Sequence, residues 1–168
     1  MATSPVDFAY FFDYLVLARG KLLGWIREQP VEVYTRTFPI GLGSIRDTLQ
    51  HIASAEFGYT LRLRGIHERP GDNPFDEPVP ALEPFLAAWE RQRPLTRDAL
   101  AAVTHPNRPV EYVFRQTQVR TVAGGIAGQL LFHEIHHRAQ VMAMLRQAGV
   151  EAENLDYSIL MMERTPLG

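Results

Sequence analysis

The segment His133-Glu-Ile-His-His137 sets two histidines four residues apart inside a strongly periodic apolar stretch. On a helix such a pair lies about 6 Å apart along the axis and about 40° apart around it, so both imidazoles can reach one metal ion. The inward stripe reads Ile126, Leu130, His133, His137, Val141, Met144, Ala148, with the two histidines standing where apolar residues are expected. Burying an imidazole is costly unless its nitrogens are satisfied. A shared metal would satisfy them; a hydrogen-bonded core pair is the alternative. His51, early in a second helical segment, is the best third ligand, although its position also suits a capping or surface residue. His67 and His105 sit in proline-containing loops and read as surface residues. His136, turned about 100° from His137 and about 60° from His133, is expected to be exposed or to support a ligand imidazole from behind.

Three neutral histidines favour zinc or nickel over magnesium or calcium, which prefer oxygen ligands. Three protein ligands also leave a position for water or a substrate atom, the usual arrangement of a catalytic zinc site. Water or a thiol bound there becomes more acidic, which suits activation of a nucleophile without choosing the electrophile.

The same five residues match the H-E-x-x-H pattern of zinc peptidases, where the glutamate is the general base. Glu134 could hold that position. The extended form of the pattern is absent, because Gln140 stands where its glycine belongs. No convincing antiparallel sheet is expected to receive a peptide as an added strand. Peptide hydrolysis is therefore disfavoured, and Glu134 reads as a residue on the wet flank of its helix.

The elements that must position these residues are mostly helical. A first helix spans about Val6–Glu28, with Asp7 or a neighbour as its cap and Gln29-Pro30 ending it. Val31–Gly43 reads as a long connector. Ser44 caps a second helix that runs to about Gly65, with Asp47 in its first turn. A loop rich in proline and charge follows from His67 to Pro80. Helical spacing returns over Ala81–Val103, where Pro94 implies a kink or two short helices. After the turn His105–Pro109, Val110–Val119 suits a short strand or hairpin arm. The last long helix covers about Gly124–Gln147, with Gly149 as its C′ residue. Asn154–Arg164 suits a short packing helix. Four long helical segments with substantial connectors predict an all-α bundle in one domain, residues 1–168.

Composition narrows the functional classes. The chain has 168 residues, no cysteine, a net charge of −2 and 46% hydrophobic residues. Disulfides, thiolate ligands and cysteine nucleophiles are excluded, and a reducing cytoplasmic setting is expected. Only Lys21 is lysine, the arginines are scattered, and no basic block supports nucleic-acid binding. No apolar run is long enough for a membrane span, and the N-terminus does not read as a secretory signal.

Gln50-His51-Ile-Ala-Ser-Ala-Glu56, His133 and His137-Arg-Ala-Gln140 together resemble the DinB/YfiT-like superfamily of metalloenzymes. The likeness covers nearly the whole chain, including the closing Leu155-Asp-Tyr157. Family members typically carry H-x-x-x-H-R-G-Q, and Ala139 replaces that glycine here without costing a ligand. The resemblance implies a four-helix bundle with up-up-down-down connectivity, often a homodimer, and a divalent ion held by His51, His133 and His137. Relatives with assigned chemistry include thiol-dependent transferases and a mycothiol-dependent isomerase. The resemblance therefore points to a low-molecular-weight thiol and a small electrophilic substrate. A metal-dependent hydrolase and a non-enzymatic helical metal-binding or interaction module are the alternatives. Arg138 and Gln140 are expected to serve mainly in helix packing. Glu56 is expected on a solvent-facing side, and Asp156 is a candidate acceptor for an imidazole N–H.

Overall fold

A computed structural model describes residues 6–66, 71, 73–76 and 81–165. His67 and most of the loop reaching Pro80 lie outside the described residues. The described chain forms six helices and a two-stranded sheet. No helix among these residues is long and apolar enough to cross a membrane.

Helix α1 (Phe8–Arg27) starts where the Asp7 carboxylate accepts the Tyr10 backbone N–H at 2.9 Å. Its buried stripe runs through Phe12, Leu15, Ala18, Leu22 and Ile26, with the charged Arg19 also inside it. The expected connector is partly helical: Pro30 leads into the five-residue α2 (Val31–Thr35). Proline's fixed φ suits a helix start, and Glu32 in the first turn complements the helix dipole. Gly41 and Gly43, at φ +53° and +91°, then turn the chain into Ser44.

Helix α3 (Ile45–Leu63) is capped by Ser44, whose hydroxyl oxygen accepts the Asp47 N–H at 3.0 Å. Its other end closes in a Schellman turn. The Ile66 N–H reaches the Leu61 carbonyl at 2.9 Å around Gly65, which has φ +77°. Helix α5 (Ala123–Gln147) ends in the same way around Gly149.

Helix α4 (Leu82–Ala101) continues through Pro94 instead of dividing there. Proline removes the hydrogen bond to the carbonyl four residues back. Both Pro94 and Glu90 are exposed, so water can serve the freed Glu90 carbonyl while Trp89, Gln92 and Thr96 stay buried on the inner face.

The sequence suggested at most one arm between Val110 and Val119. The chain instead forms a full antiparallel hairpin of β1 (Pro109–Phe114) and β2 (Thr117–Val122), pairing Pro109 with Val122 and Phe114 with Thr117. Arg115 and Gln116 make the turn with φ +46° and +65°. Strand β2 runs directly into α5. The Ala123 and Gly124 N–H groups donate to the Arg108 and Pro106 carbonyls, pinning the start of that helix. The short α6 (Tyr157–Leu160) falls within the expected C-terminal packing segment.

The four long helices touch in a closed cycle: α1 packs on α4 and α5, and α3 packs on the same two. Phe12, Leu15, Ile45, Leu49, Ile52, Phe85, Leu100, Met144 and Leu145 fill the space between them. Removing such side chains from water is the main favourable contribution to folding, about 1.5–3 kcal/mol for each large one.

Candidate metal centre

Helices α3 and α5 bring together the three histidines singled out by spacing. One ligand nitrogen from each of His51, His133 and His137 lies within 4.8 Å of the other two, and all three residues are partly buried. His51 Nε2 and His133 Nε2 are 2.9 Å apart. Nitrogens bound at about 2.0–2.1 Å to one tetrahedral zinc would stand roughly 3.3 Å apart, so small ring movements would let this set hold an ion. His136 is exposed and donates no atom to the group.

Gln140 governs the third imidazole. His137 Nδ1 lies 2.9 Å from Gln140 Oε1. An amide oxygen only accepts, so Nδ1 carries the proton and Nε2 keeps its lone pair for a ligand. Gly41 backs this amide closely: a Cβ at that position would lie 2.4 Å from Gln140 Oε1. The loop preceding α3 thus abuts the group that orients a histidine of α5. Asp156, the other candidate acceptor, is an exposed residue at the start of α6.

Electrostatics favour neutral imidazoles. Burial, then the neighbouring His137, His51 and His136, push His133 down to about 4. Burial, then His137 and Arg115, lower His51. Unprotonated nitrogens are the form a metal requires.

Two expectations about carboxylates are corrected. Glu134 does not occupy a wet flank, and Glu56 does not face solvent; each is only 3% exposed. Arg19 Nη2 meets Glu56 Oε2 at 2.6 Å and Glu134 Oε2 at 2.5 Å, while its Nε donates to Glu134 Oε1. The guanidinium also lies 4.0 Å from the centre of the Trp89 ring. Trp89 Nε1 and Thr96 Oγ1 donate to the two Glu56 oxygens, each at 2.8 Å. Burial alone would depress the Arg19 pKa, but the Glu134 and Glu56 charges more than offset it and hold it above the ordinary value. Burial raises Glu56 against the pull of Arg19. Arg138 adds a second buried cation, with Nη1 3.9 Å from Glu134 and Nη2 donating to the Tyr14 hydroxyl at 2.6 Å. Tyr14 in turn donates to the Leu155 carbonyl, tying the C-terminal segment to α1 and α5. These contacts link all four long helices beside the histidine group.

His51 and His133 line a cavity of about 500 Å³ between α3 and the hairpin. Ser54, Tyr59 and Arg62 form part of one wall; Tyr112, Phe114 and Arg115 form part of the other. Arg62, Tyr112, Phe114 and Arg115 escaped the sequence reading because no motif marks them. Arg19 left a detectable signal, a charge within an apolar helical stripe.

Comparison with known proteins matches a model of the DinB family to residues 1–166. The chain belongs to the DinB family. It is 24% identical over 171 residues to Protein DinB of Bacillus subtilis (strain 168), an alignment covering 95% of this chain and 97% of the relative. For a DinB-family chain, the histidine group is compatible with metal binding, and it is the only such group of three found among the described residues.

Proposed function

We propose that this protein is a divalent-metal-dependent enzyme that activates a thiol or water against a small electrophile. A thiol-dependent transferase or isomerase is the leading reading. The observation that carries it is the convergence of His51, His133 and His137, of which His51 and His133 line a cavity. Zinc or nickel suits this all-imidazole set. When bound, the ion supplies Lewis acidity and lowers the pKa of a coordinated thiol or water.

The chain's own residues perform the remaining tasks. Gln140 holds the His137 proton on Nδ1. The Arg19–Glu56–Glu134 contacts fix α3 and α5 relative to one another. Glu134 is committed to Arg19, which argues against using it as a peptidase base. The architecture we favour is a single-domain four-helix bundle with up-up-down-down connectivity, acting as a cytoplasmic homodimer. Exposed Phe132 and Ile135 on α5 provide apolar surface for such a dimer.

Metal analysis of untagged protein tests this reading. We expect near-stoichiometric zinc or nickel and its loss in alanine variants of His51, His133 and His137. Less than about 0.2 ion per chain after metal supply would sink the proposal, since metal affinity depends on the ligand set. Turnover of epoxides, halides or unsaturated acids with added thiols would then separate a transferase or isomerase from a hydrolase.

A further inference from the structure

The cavity beside the histidines is cationic and aromatic. It contains the side chains of Arg62 and Arg115 and no aspartate or glutamate among its lining residues. Arg62 lies 4.3 Å from the centre of the Tyr112 ring, with Tyr59 and Phe114 rings each at 5.8 Å. Its Nε is buried and finds no hydrogen-bond acceptor. Leaving a buried donor unmatched is unfavourable, and a ligand oxygen would relieve it. Arg115 lies over Phe114 at the hairpin tip and is close enough to affect His51 electrostatically. A planar, partly apolar body would meet aromatic walls in the cavity, while a carboxylate would meet the guanidinium fork.

We propose that the cavity binds a small organic carboxylate, with Arg62 as its main recognition group and Arg115 as a second cationic contact. The carboxylate directs the other end of the molecule toward His51 and His133. This identifies the substrate class for the function proposed above and rests on that reading for its catalytic consequence. The carboxylate can belong to either the electrophile or the thiol.

The geometry supplies an independent perturbation. A Cβ added at Gly58 would lie 3.0 Å from Arg62 Nη1. Gly58→Ala therefore shifts the guanidinium by a few tenths of an ångström without removing its charge, while alanine is the better helix former.

Binding of trans-cinnamate and cinnamyl alcohol, and of 3-mercaptopropionate and 3-mercapto-1-propanol, tests the assignment. Titration calorimetry would compare metal-free and zinc-supplied protein, and NMR would follow the Arg62 Nε–H signal. At least one carboxylate should bind about tenfold tighter than its alcohol partner, as expected for a charge-assisted contact. It should also shift that signal. Preference for cinnamate places the carboxylate on the electrophile; preference for 3-mercaptopropionate alone places it on the thiol. Arg62→Gln should reduce the preference by about tenfold, and Gly58→Ala by less, both while retaining the thermal transition. His137→Ala should abolish zinc binding yet spare cinnamate binding to metal-free protein if that is the selected ligand. Cinnamate selectivity without zinc binding would overturn the metal reading alone. Absence of carboxylate preference in both pairs, or its persistence in folded Arg62→Gln, would overturn the anion site.

Discussion

Gly41→Ala tests whether the loop before α3 sets the properties of a histidine on α5. The substitution introduces two separable effects. Gly41 has φ +53°, and a non-glycine residue in this region costs about 1–2 kcal/mol. The new Cβ would also meet Gln140 Oε1 at 2.4 Å, so the amide must withdraw by about 0.6 Å to reach even 3.0 Å. Such a movement disrupts its 2.9 Å contact with His137 Nδ1. Loss of a group orienting a metal-binding histidine typically costs 10–100-fold in affinity, or about 1.4–2.8 kcal/mol. Gly43→Ala is the control, because Gly43 has φ +91° but no atom within 4 Å of an added Cβ. Both variants should lower the urea-unfolding free energy. Only Gly41→Ala should weaken zinc in a competition assay with a chromogenic chelator. Gln140→Ala should weaken zinc similarly, and combining it with Gly41→Ala should add little further loss. Equal zinc affinity in wild type and Gly41→Ala, or equal losses in the two glycine variants, would refute the proposed relay.

Other perturbations probe the buried charges and the imidazoles. Arg19→Leu should cost about 3–5 kcal/mol in urea unfolding, because Glu56 and Glu134 lose their shared cation. Adding Glu134→Gln should recover part of that loss; no recovery would contradict the charge explanation. Glu134→Gln alone should retain stoichiometric metal, measured after zinc supply, since its carboxylate faces Arg19. In metal-free protein, the lowered folded pKa of His133 means that the unfolded state binds protons more readily below about pH 6.5. Its stability contribution is present above that value and is lost as pH falls toward about 4. A thermal-midpoint series should show a shallower decline over this interval for His133→Asn than for wild type.

Much of the helical framework is legible in local chemistry. Asp7 and Ser44 supply side-chain acceptors for exposed helix N–H groups, and Gly149 occupies the left-handed position that closes α5. The hairpin is less legible because its turn uses Arg115 and Gln116, whereas positive φ usually selects glycine, asparagine or aspartate. Pro94 suggested an interruption because local spacing cannot report that the freed carbonyl would face solvent. The histidine candidates were recoverable because a four-residue spacing joined two of them and the family resemblance brought in His51. The cavity was not, because Arg62 and Tyr112 become neighbours only when the hairpin returns to α3.

The helical repeat also explains why a familiar motif does not carry a peptidase role here. His133 and His137 differ by about 40° around α5, whereas Glu134 is turned by about 100° from His133. That turn carries Glu134 into the buried contact with Arg19, and Arg138 follows four residues later on the same side. One helix therefore presents metal-compatible nitrogens on one face and a neutralised charge cluster on another. Freeing Glu134 for proton transfer would leave Arg19 with only Glu56 and expose a buried carboxylate to a new desolvation balance. The packing favours retaining Glu134 as a structural counterion, while His133, on the other face of α5, lines the cavity with His51.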